Sequence, residues 1–232
     1  MSTTKDALQV SLQQVKQRIA GYELKYAREP GSVQLLAVSK TQAADRVRTA
    51  HSCGQRCFGE NYLQEALAKM ETLVDLPLEW HFIGPIQSNK TRDIASNFDW
   101  VHSVDRLKIA QRLSEQRPAA RGPLNVLIQV NLSNEDSKSG CLLAELAALA
   151  NAIAALPALR LRGLMAIPAP ATSLTAQRLV FHQLTDARTR LQQAGHQACT
   201  ELSMGMSADF EAAIAEGATL VRIGSDIFGA RA

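Results

Sequence analysis

The sequence predicts one α/β domain of the (β/α)8 barrel (TIM barrel) class, preceded by an extra N-terminal helix. Eight short apolar runs alternate with longer stretches of helical periodicity, which is typical of parallel strands covered by helices. Leu35–Val38 and Val126–Ile128 are continuously apolar, as expected for strands buried on both faces. A length of 232 residues suits one such domain over residues 1–232. A doubly wound open sheet is the alternative, because periodicity does not count strands exactly.

The elements follow one another in a regular order. The first is an amphipathic helix whose apolar residues recur every three or four positions, namely Leu8, Leu12, Val15, Ile19, Tyr22 and Tyr26, before Pro30-Gly31 ends it. The eight predicted strands are Gln34–Ser39, Arg56–Gly59, Glu79–Ile83, Trp100–Ser103, Leu124–Asn131, Arg160–Ala166, Thr200–Ser203 and Thr219–Ile223. Helical patterns between them include Asp105–Glu115, Leu142–Leu156, Thr175–Ala194 and Asp209–Glu216. Gly217 follows the last of these, where a helix C-cap is expected.

Composition and charge narrow the functional classes. Hydrophobic residues make up 46% and charged residues 20%, which is ordinary globular usage and excludes a disordered chain. A net charge of +3 without a Lys/Arg run does not favour nucleic-acid binding. The apolar stretches are strand-sized or interrupted, and the N-terminus lacks the pattern of a secretion signal. We therefore expect a cytoplasmic protein without a membrane span.

The cysteines agree with a reducing compartment, because four of them are scattered through a large chain. His51, Cys53 and Cys57 fall close enough together to raise the question of a metal site. A structural zinc site needs four ligands, usually as two close pairs, and a second pair is missing here. We therefore predict no metal site.

Two loops near the end of the chain have the composition of a phosphate site. In a barrel of this class, functional groups collect at the carboxyl ends of the strands. The seventh strand is followed by Ser203-Met204-Gly205-Met206-Ser207, and the eighth by Gly224-Ser225. Backbone N–H groups at a helix start attract anions, so these loops predict a phosphate site. The alternative is that Ser207 only caps the next helix.

Lys40 is the second candidate, because it ends the first predicted strand and would point into the mouth of the barrel. A lysine there can form a Schiff base, which requires an unprotonated amine. A nearby Arg222 would favour that form by like-charge repulsion. An ordinary solvated lysine is the alternative. A lysine imine opposite a phosphate site suggests pyridoxal phosphate, although a sugar-phosphate aldolase would use similar parts.

Five strings carry a more specific signal. They are AVSKT (37–41), FGENYLQE (58–65), WHFIGPIQSNK (80–90), KSG (138–140) and LSMGMSADFEAAIAEGATLVRIGSDIFG (202–229). Together, and in this order, they resemble the YggS/PROSC family of pyridoxal phosphate homeostasis proteins. The resemblance covers about Leu35 to Gly229, so it is far more specific than a single glycine motif. It implies a fold-type III barrel, similar to the N-terminal domain of alanine racemase, with pyridoxal 5′-phosphate as its cofactor.

The resemblance also implies roles for single residues. Lys40 would carry the cofactor as a Schiff base, and Arg222 would face its pyridine nitrogen. Asn61 and Met165 match positions near the cofactor. His81 belongs to a matching string, and we expect it to be a buried histidine with its hydrogen bonds satisfied.

The phosphate-binding residues are implied in the same way. The residues matching the phosphate loop and its facing turn are Ser203, Gly205, Met206, Ser207, Gly224 and Ser225. Ser225 stands where many family members have threonine, and the hydroxyl group is kept.

The resemblance favours a cofactor carrier over an enzyme. A cationic Arg222 cannot stabilise a protonated pyridine nitrogen, so the ring would be a poorer electron sink. Related racemases take an acid–base partner from a second, β-rich domain and from a second subunit. The sequence ends three residues after Gly229, so we expect that domain to be absent and the protein to be monomeric, with no catalytic residues.

Binding of pyridoxal phosphate and its delivery to apo forms of enzymes that use it is therefore the predicted function. The alternative is a weak amino-acid racemase. Lys138, in the loop after the fifth strand, is a further candidate for relaying the cofactor, unless it is simply a solvated loop lysine.

Overall fold

The predicted barrel is confirmed by the computed structural model, which describes residues 2–133 and 139–229. Within them, eight parallel strands form a closed barrel in which each strand pairs with the next and β8 pairs with β1. The strands are β1 Gln34–Val38, β2 Cys57–Glu60, β3 Glu79–Phe82, β4 Trp100–Val104, β5 Leu124–Gln129, β6 Leu159–Met165, β7 Glu201–Ser203 and β8 Leu220–Ile223. Closure through the β1–β8 pair excludes the open sheet.

Helices follow the strands and form the outer layer. They are α1 Ser2–Lys25, α2 Ala44–Ser52, α3 Leu63–Thr72, α4 Thr91–Asn97, α5 Leu107–Gln116, α6 Leu146–Ala154, α7 Leu174–Gln193, α8 Phe210–Ala215 and α9 Ser225–Phe228, with short 3₁₀ turns at Ser88–Lys90 and Ala119–Arg121. The main hydrophobic core lies between these helices and the outward faces of the strands.

The N-terminal helix α1 is amphipathic, as predicted. Leu8, Leu12 and Val15 are buried against the core, and the helix packs on α2, α8 and α9. Arg18 Nη1 donates to Asp226 Oδ2 at 2.8 Å, which ties α1 to α9. The helix therefore supports the two short helices that follow the predicted phosphate loops.

The boundaries differ from the predicted ones mainly around α6. The periodic pattern begins at Leu142, but the helix begins at Leu146. Cys141 is held in a parallel bridge to Val130, just beyond the end of β5, so its backbone hydrogen bonds are engaged there. The helix starts only after the chain has left that bridge.

The end of α8 is as expected. Gly217, at φ +97°, donates its N–H to the carbonyl of Ile214, and Ala218 donates to the carbonyl of Ala213. This pair of bonds is the Schellman arrangement, which places a left-handed residue after the helix. The loop entering β8 is thereby fixed.

In the part of the chain that the structure describes, no helix combines the length and the apolar character that crossing a bilayer requires.

Candidate functional site

A cavity of about 320 Å³ opens at the carboxyl ends of the strands. Seven of the ten predicted site residues lie on its wall, namely Lys40, Asn61, Met206, Ser207, Arg222, Gly224 and Ser225. They come from the ends of β1, β2 and β8 and from the loop after β7. Residues far apart in the sequence are therefore brought to one opening, as expected for this barrel class.

The other three predicted residues lie behind that wall. Ser203 is buried at the end of β7, and Gly205 follows in the loop, where its carbonyl accepts from the Arg222 backbone N–H at 3.0 Å. Met165 is buried inside the barrel against Leu127 and Leu220. Ser203 and Gly205 thus support the cavity wall, and Met165 fills the interior beneath it.

Arg222 is the buried cation of the site. Its Nη1 donates to Ser203 Oγ at 2.8 Å and its Nη2 donates to the carbonyl of Ala166 at 2.9 Å. Burial lowers the pKa of Arg222 to about 10, and the nearby Asp209 opposes that shift. The guanidinium therefore keeps its positive charge at neutral pH and is held in one orientation by two acceptors.

The loop after β7 requires glycine at one point. Gly205 has φ +91°, and a Cβ there would lie 2.5 Å from the Cβ of Ala213. A side chain at this position would therefore be both strained and in collision with α8. Close packing of the loop on α8 depends on this glycine.

Hydroxyl groups from the two loops meet at the cavity. Ser225 Oγ donates to Ser207 Oγ at 3.1 Å. The helix α8 begins at Phe210 with Asp209 at its N-cap, so Ser207 does not cap it. The capping alternative for Ser207 is therefore wrong. Asp209 instead accepts from the Met206 backbone N–H at 2.6 Å, which folds the loop back on itself.

Lys40 is presented by a tight turn. The backbone N–H of Gln42 donates to the carbonyl of Ser39 at 3.0 Å, so Lys40 and Thr41 are the two central residues of the turn. Thr41 has φ +63°, a left-handed conformation that is unfavourable for a β-branched residue. Glu65 Oε1 accepts from the Thr41 N–H at 2.6 Å and helps to hold it there.

A buried charged network stands directly behind this turn. Lys69 Nζ donates to the carbonyl of Ser39 at 2.6 Å and to Glu60 Oε1 at 2.7 Å, and it also contacts Glu65. Ser39 Oγ donates to the same Glu60 oxygen at 2.6 Å. Lys69 and Glu60 are buried. The network was not predicted, although the four-residue spacing of Glu65 and Lys69 on a helix could have indicated half of it.

His81 is buried and hydrogen-bonded at both ring nitrogens, as expected. Its Nε2 lies 2.8 Å from Glu79 Oε1, and its Nδ1 lies 2.9 Å from Nε2 of His102. These contacts lie inside the barrel, and His102 was not singled out by the sequence.

One mixed cluster among the described residues has the donor atoms of a metal site: Cys57, Glu79 and His81. His51 and Cys53, which the sequence had placed beside Cys57, are not in it. Glu79 Oε1 joins the three groups, at 3.3 Å from Cys57 Sγ and 2.8 Å from His81 Nε2. Burial and the Glu79 charge raise the pKa of Cys57 to about 12, so without a metal ion its thiol is protonated at neutral pH. Lys138, the candidate relay lysine, lies outside the described residues.

Comparisons with known proteins show the family and the fold. Residues 10–232 match the family model described as the alanine racemase N-terminal domain. A pyridoxal phosphate homeostasis protein of Pseudomonas aeruginosa is 63% identical over 204 residues, covering 88% of this chain and 87% of the relative. One from Escherichia coli is 54% identical and covers 95% of each chain.

Solved structures extend the comparison. PipY of Synechococcus elongatus, in its structure with PLP bound, has a TM-score of 0.81 at 41% identity, covering 91% of this chain and all of the other. An alanine racemase of Corynebacterium glutamicum has a TM-score of 0.74 at 18% identity and shares the fold. The match to that enzyme covers 98% of this chain and 62% of the racemase chain.

Proposed function

This chain belongs to the alanine racemase N-terminal domain family and, within it, to the pyridoxal phosphate homeostasis proteins, and from that premise we propose that it binds pyridoxal 5′-phosphate and buffers or delivers it. In this proposal the cofactor is held as a Schiff base on Lys40. The observation that carries it is one cavity that joins an amine, a buried guanidinium and a pair of serine hydroxyls.

The residues present fit this cofactor. A cavity of about 320 Å³ lies within the size range of small-molecule sites. The phosphate group needs hydrogen-bond donors, and the loop after β7, which Gly205 allows to pack closely on α8, brings Ser207 to the cavity wall. Ser207 and Ser225 add two hydroxyl groups.

Each residue has a distinct task in the proposal. When bound, pyridoxal phosphate supplies an aldehyde that condenses with an amine and a ring that withdraws electrons. Lys40 supplies the amine nitrogen, and water leaves as the C=N bond forms. Ser207 and Ser225 donate to the phosphate. Arg222 offers only N–H donors, so the ring nitrogen that faces it accepts a hydrogen bond and stays unprotonated.

An unprotonated ring nitrogen supports a carrier over an enzyme. An unprotonated ring is a weak electron sink, so carbanion chemistry would be slow without a strong acid–base pair. The relatives that match this chain over most of both lengths are named for homeostasis, and the racemase match shares the fold alone. We propose no catalytic residue.

A weak amino-acid racemase is the second candidate, favoured by the lysine and the phosphate loop that the two classes share. Purified protein loaded with the cofactor is incubated with L-alanine, and D-alanine is measured. The carrier proposal expects no turnover above that of free pyridoxal phosphate. Robust turnover that is abolished in Lys40→Ala would replace it with the racemase.

The main test is spectroscopic. Wild-type protein mixed with pyridoxal phosphate is expected to turn yellow, and borohydride is expected to fix the cofactor on the peptide that contains Lys40. Lys40→Ala is expected to lose the fixed label, whereas Lys108→Ala, which removes an exposed lysine of α5, keeps it. A colourless wild-type protein that cannot be loaded would defeat the proposal.

Location and partners are part of the same proposal. The four free cysteines support a cytoplasmic protein. We expect it to act as a monomer and to pass its cofactor to apo forms of pyridoxal-phosphate enzymes.

A further inference from the structure

A continuous chain of hydrogen bonds runs through the barrel interior below Arg222. Arg222 Nη1 donates to Ser203 Oγ at 2.8 Å, and Ser203 Oγ lies 2.9 Å from Nδ1 of His102. His102 Nε2 is 2.9 Å from Nδ1 of His81, whose Nε2 is 2.8 Å from Glu79 Oε1. The chain connects the cavity wall to the amino-terminal end of β3, near the opposite end of the barrel.

Such a polar interior is unusual, because barrels of this class are normally filled with branched apolar side chains. His81, His102 and Ser203 are completely buried. The ring of His81 also stacks on Trp100, with an interplanar angle of 4° and centroids 5.6 Å apart. Buried polar groups are costly unless each is satisfied, so a chain in which every member has its partner calls for a functional explanation.

Glu79, at the lower end of the chain of hydrogen bonds, can only accept a hydrogen bond. Bonding to His81 lowers the pKa of Glu79, so this carboxyl group is ionised at neutral pH. A carboxylate has no proton to donate, so the hydrogen between Glu79 and His81 belongs to His81 Nε2. If that is the ring's single hydrogen, Nδ1 of His81 is an acceptor for His102.

The direction of the next hydrogen bonds depends on the protonation of His102. Complete burial is the main cause that lowers the pKa of His102 well below its ordinary value, so this ring is neutral. If His102 donates from Nε2 to His81, its Nδ1 has a free lone pair. The Ser203 hydroxyl then donates to that lone pair, and the serine oxygen accepts from Arg222.

We propose that Glu79 is a positioning residue that acts through His81 and His102 to keep the His102 Nδ1 lone pair available to the Ser203 hydroxyl, so that the serine oxygen stays directed at Arg222. With the opposite direction, His102 Nδ1 and Arg222 Nη1 would both donate to the two lone pairs of Ser203 Oγ, and neither of these partners would accept the buried hydroxyl hydrogen. A buried donor without an acceptor is costly, so Ser203 would shift and loosen one of the two contacts that orient Arg222. The effect on the cofactor rests on the proposed function, whereas the direction of the chain does not.

The direct test is nitrogen NMR of the ligand-free wild-type protein labelled with ¹⁵N-histidine. Both His81 and His102 are expected to be neutral, protonated at Nε2 and unprotonated at Nδ1, at pH 7. A proton on Nδ1 of His102, or a doubly protonated His81, would overturn the proposal. This measurement needs neither a substitution nor the cofactor, so it stands even if pyridoxal phosphate does not bind.

Variants of Glu79 test whether this residue affects His102 and the bound cofactor through the chain of hydrogen bonds. In Glu79→Ala the chain loses its terminal acceptor, and a mixture of His102 tautomers is expected. Release of bound pyridoxal phosphate should be about twofold to tenfold faster, the effect of weakening one hydrogen bond. Glu79→Gln restores an acceptor and should return both readouts towards wild type.

Glu201→Ala is the matched control, because Glu201 lies at the same end of the barrel, on β7, and bonds to Thr200 and Thr219 outside the chain. It is expected to leave the tautomers and the release rate unchanged. If Glu79→Ala leaves the His102 tautomer unchanged, or if Glu201→Ala has the same effects, the positioning role is wrong. If the tautomers respond but no protein binds the cofactor, the proposed function fails and the hydrogen-bond chain stands.

Discussion

Lys69 and Glu60 form a buried ion pair, with 2.7 Å between Nζ and Oε1, immediately behind the turn that presents Lys40. The same ammonium group bonds to the carbonyl of Ser39, so the pair and the turn form one unit. Charges taken out of water are tolerated only when they are paired and hydrogen-bonded. The position of Lys40 therefore depends on a lysine that does not reach the cavity.

Removing Lys69 should be strongly destabilising. Lys69→Met leaves Glu60 buried without its cation, and the free energy of unfolding is expected to fall by about 3–5 kcal/mol. Urea denaturation measures the change. Lys25→Met breaks the exposed pair with Glu211 and should change stability little, since such pairs contribute little. If the two substitutions lowered the free energy of unfolding equally, the buried pair behind Lys40 would contribute no more to stability than an exposed pair.

The turn itself stores strain at Thr41. Thr41→Gly removes the left-handed strain and should raise the free energy of unfolding by up to about 1 kcal/mol, after the greater freedom of glycine in the unfolded chain is deducted. A looser turn should also release the cofactor faster. Ala27→Gly, at φ +49° beyond α1, is the matched control. Ala27→Gly should raise the free energy of unfolding without changing the rate of cofactor release. A faster release from this variant would contradict the explanation that the turn at Thr41 controls release.

Gly205 should tolerate no side chain. Gly205→Ala combines left-handed strain with the contact to Ala213, and is expected to weaken pyridoxal phosphate binding by about tenfold or more, or about 1.4 kcal/mol. Gly195→Ala carries similar strain, at φ +105°, in open space away from the cavity. Fluorescence titration of both variants with pyridoxal phosphate separates the effect of backbone strain on binding from the effect of the collision with α8. If Gly195→Ala weakens binding equally, the collision with α8 is not the cause.

Buried thiols should make the protein sensitive to alkaline pH. Burial is the main cause that raises the pKa of Cys141 from its ordinary 9.0 to about 12. Between these values the folded protein retains the proton and the unfolded chain loses it, so this contribution to stability is complete below pH 9 and declines as the pH rises towards 12.

Urea midpoints of wild type and Cys141→Ala at several pH values from 8 to 10.5 test this dependence. The decline with pH is expected to be shallower in the variant. Values at pH 8 serve as the internal reference for lost packing, so only the slopes are compared. Parallel slopes would contradict the raised pKa.

The sequence predicted the barrel well because strand and helix periods are local properties. All eight strands occur where the apolar runs predicted them, and the end of α8 was marked by Gly217. Lys40 and Arg222 could be placed at the cavity because parallel strands bring their carboxyl ends to one face. The start of α6 could not be predicted from a local pattern, because the bridge between Val130 and Cys141 that delays it is a tertiary contact.

The barrel interior was beyond prediction for a different reason. Alternation along a strand indicates which side chains point inward, but not which of them meet. Ser203 and His102 are 101 residues apart and touch across the barrel only because of the stagger between strands. Each strand alone marks His81 as a buried histidine, and only the closed barrel shows that it belongs to a chain of five residues.

The pairing of β1 with β8 also has a consequence for synthesis. Lys40 is synthesised well before Arg222 and Ser225, and the two sides of the cavity meet only when β8 pairs with β1 and closes the barrel. A growing or truncated chain can present the lysine without the groups that we propose to retain a phosphate-bearing aldehyde. The proposed capacity to hold that aldehyde therefore arises only when β8 is in place, and is lost in any product that stops short of β8.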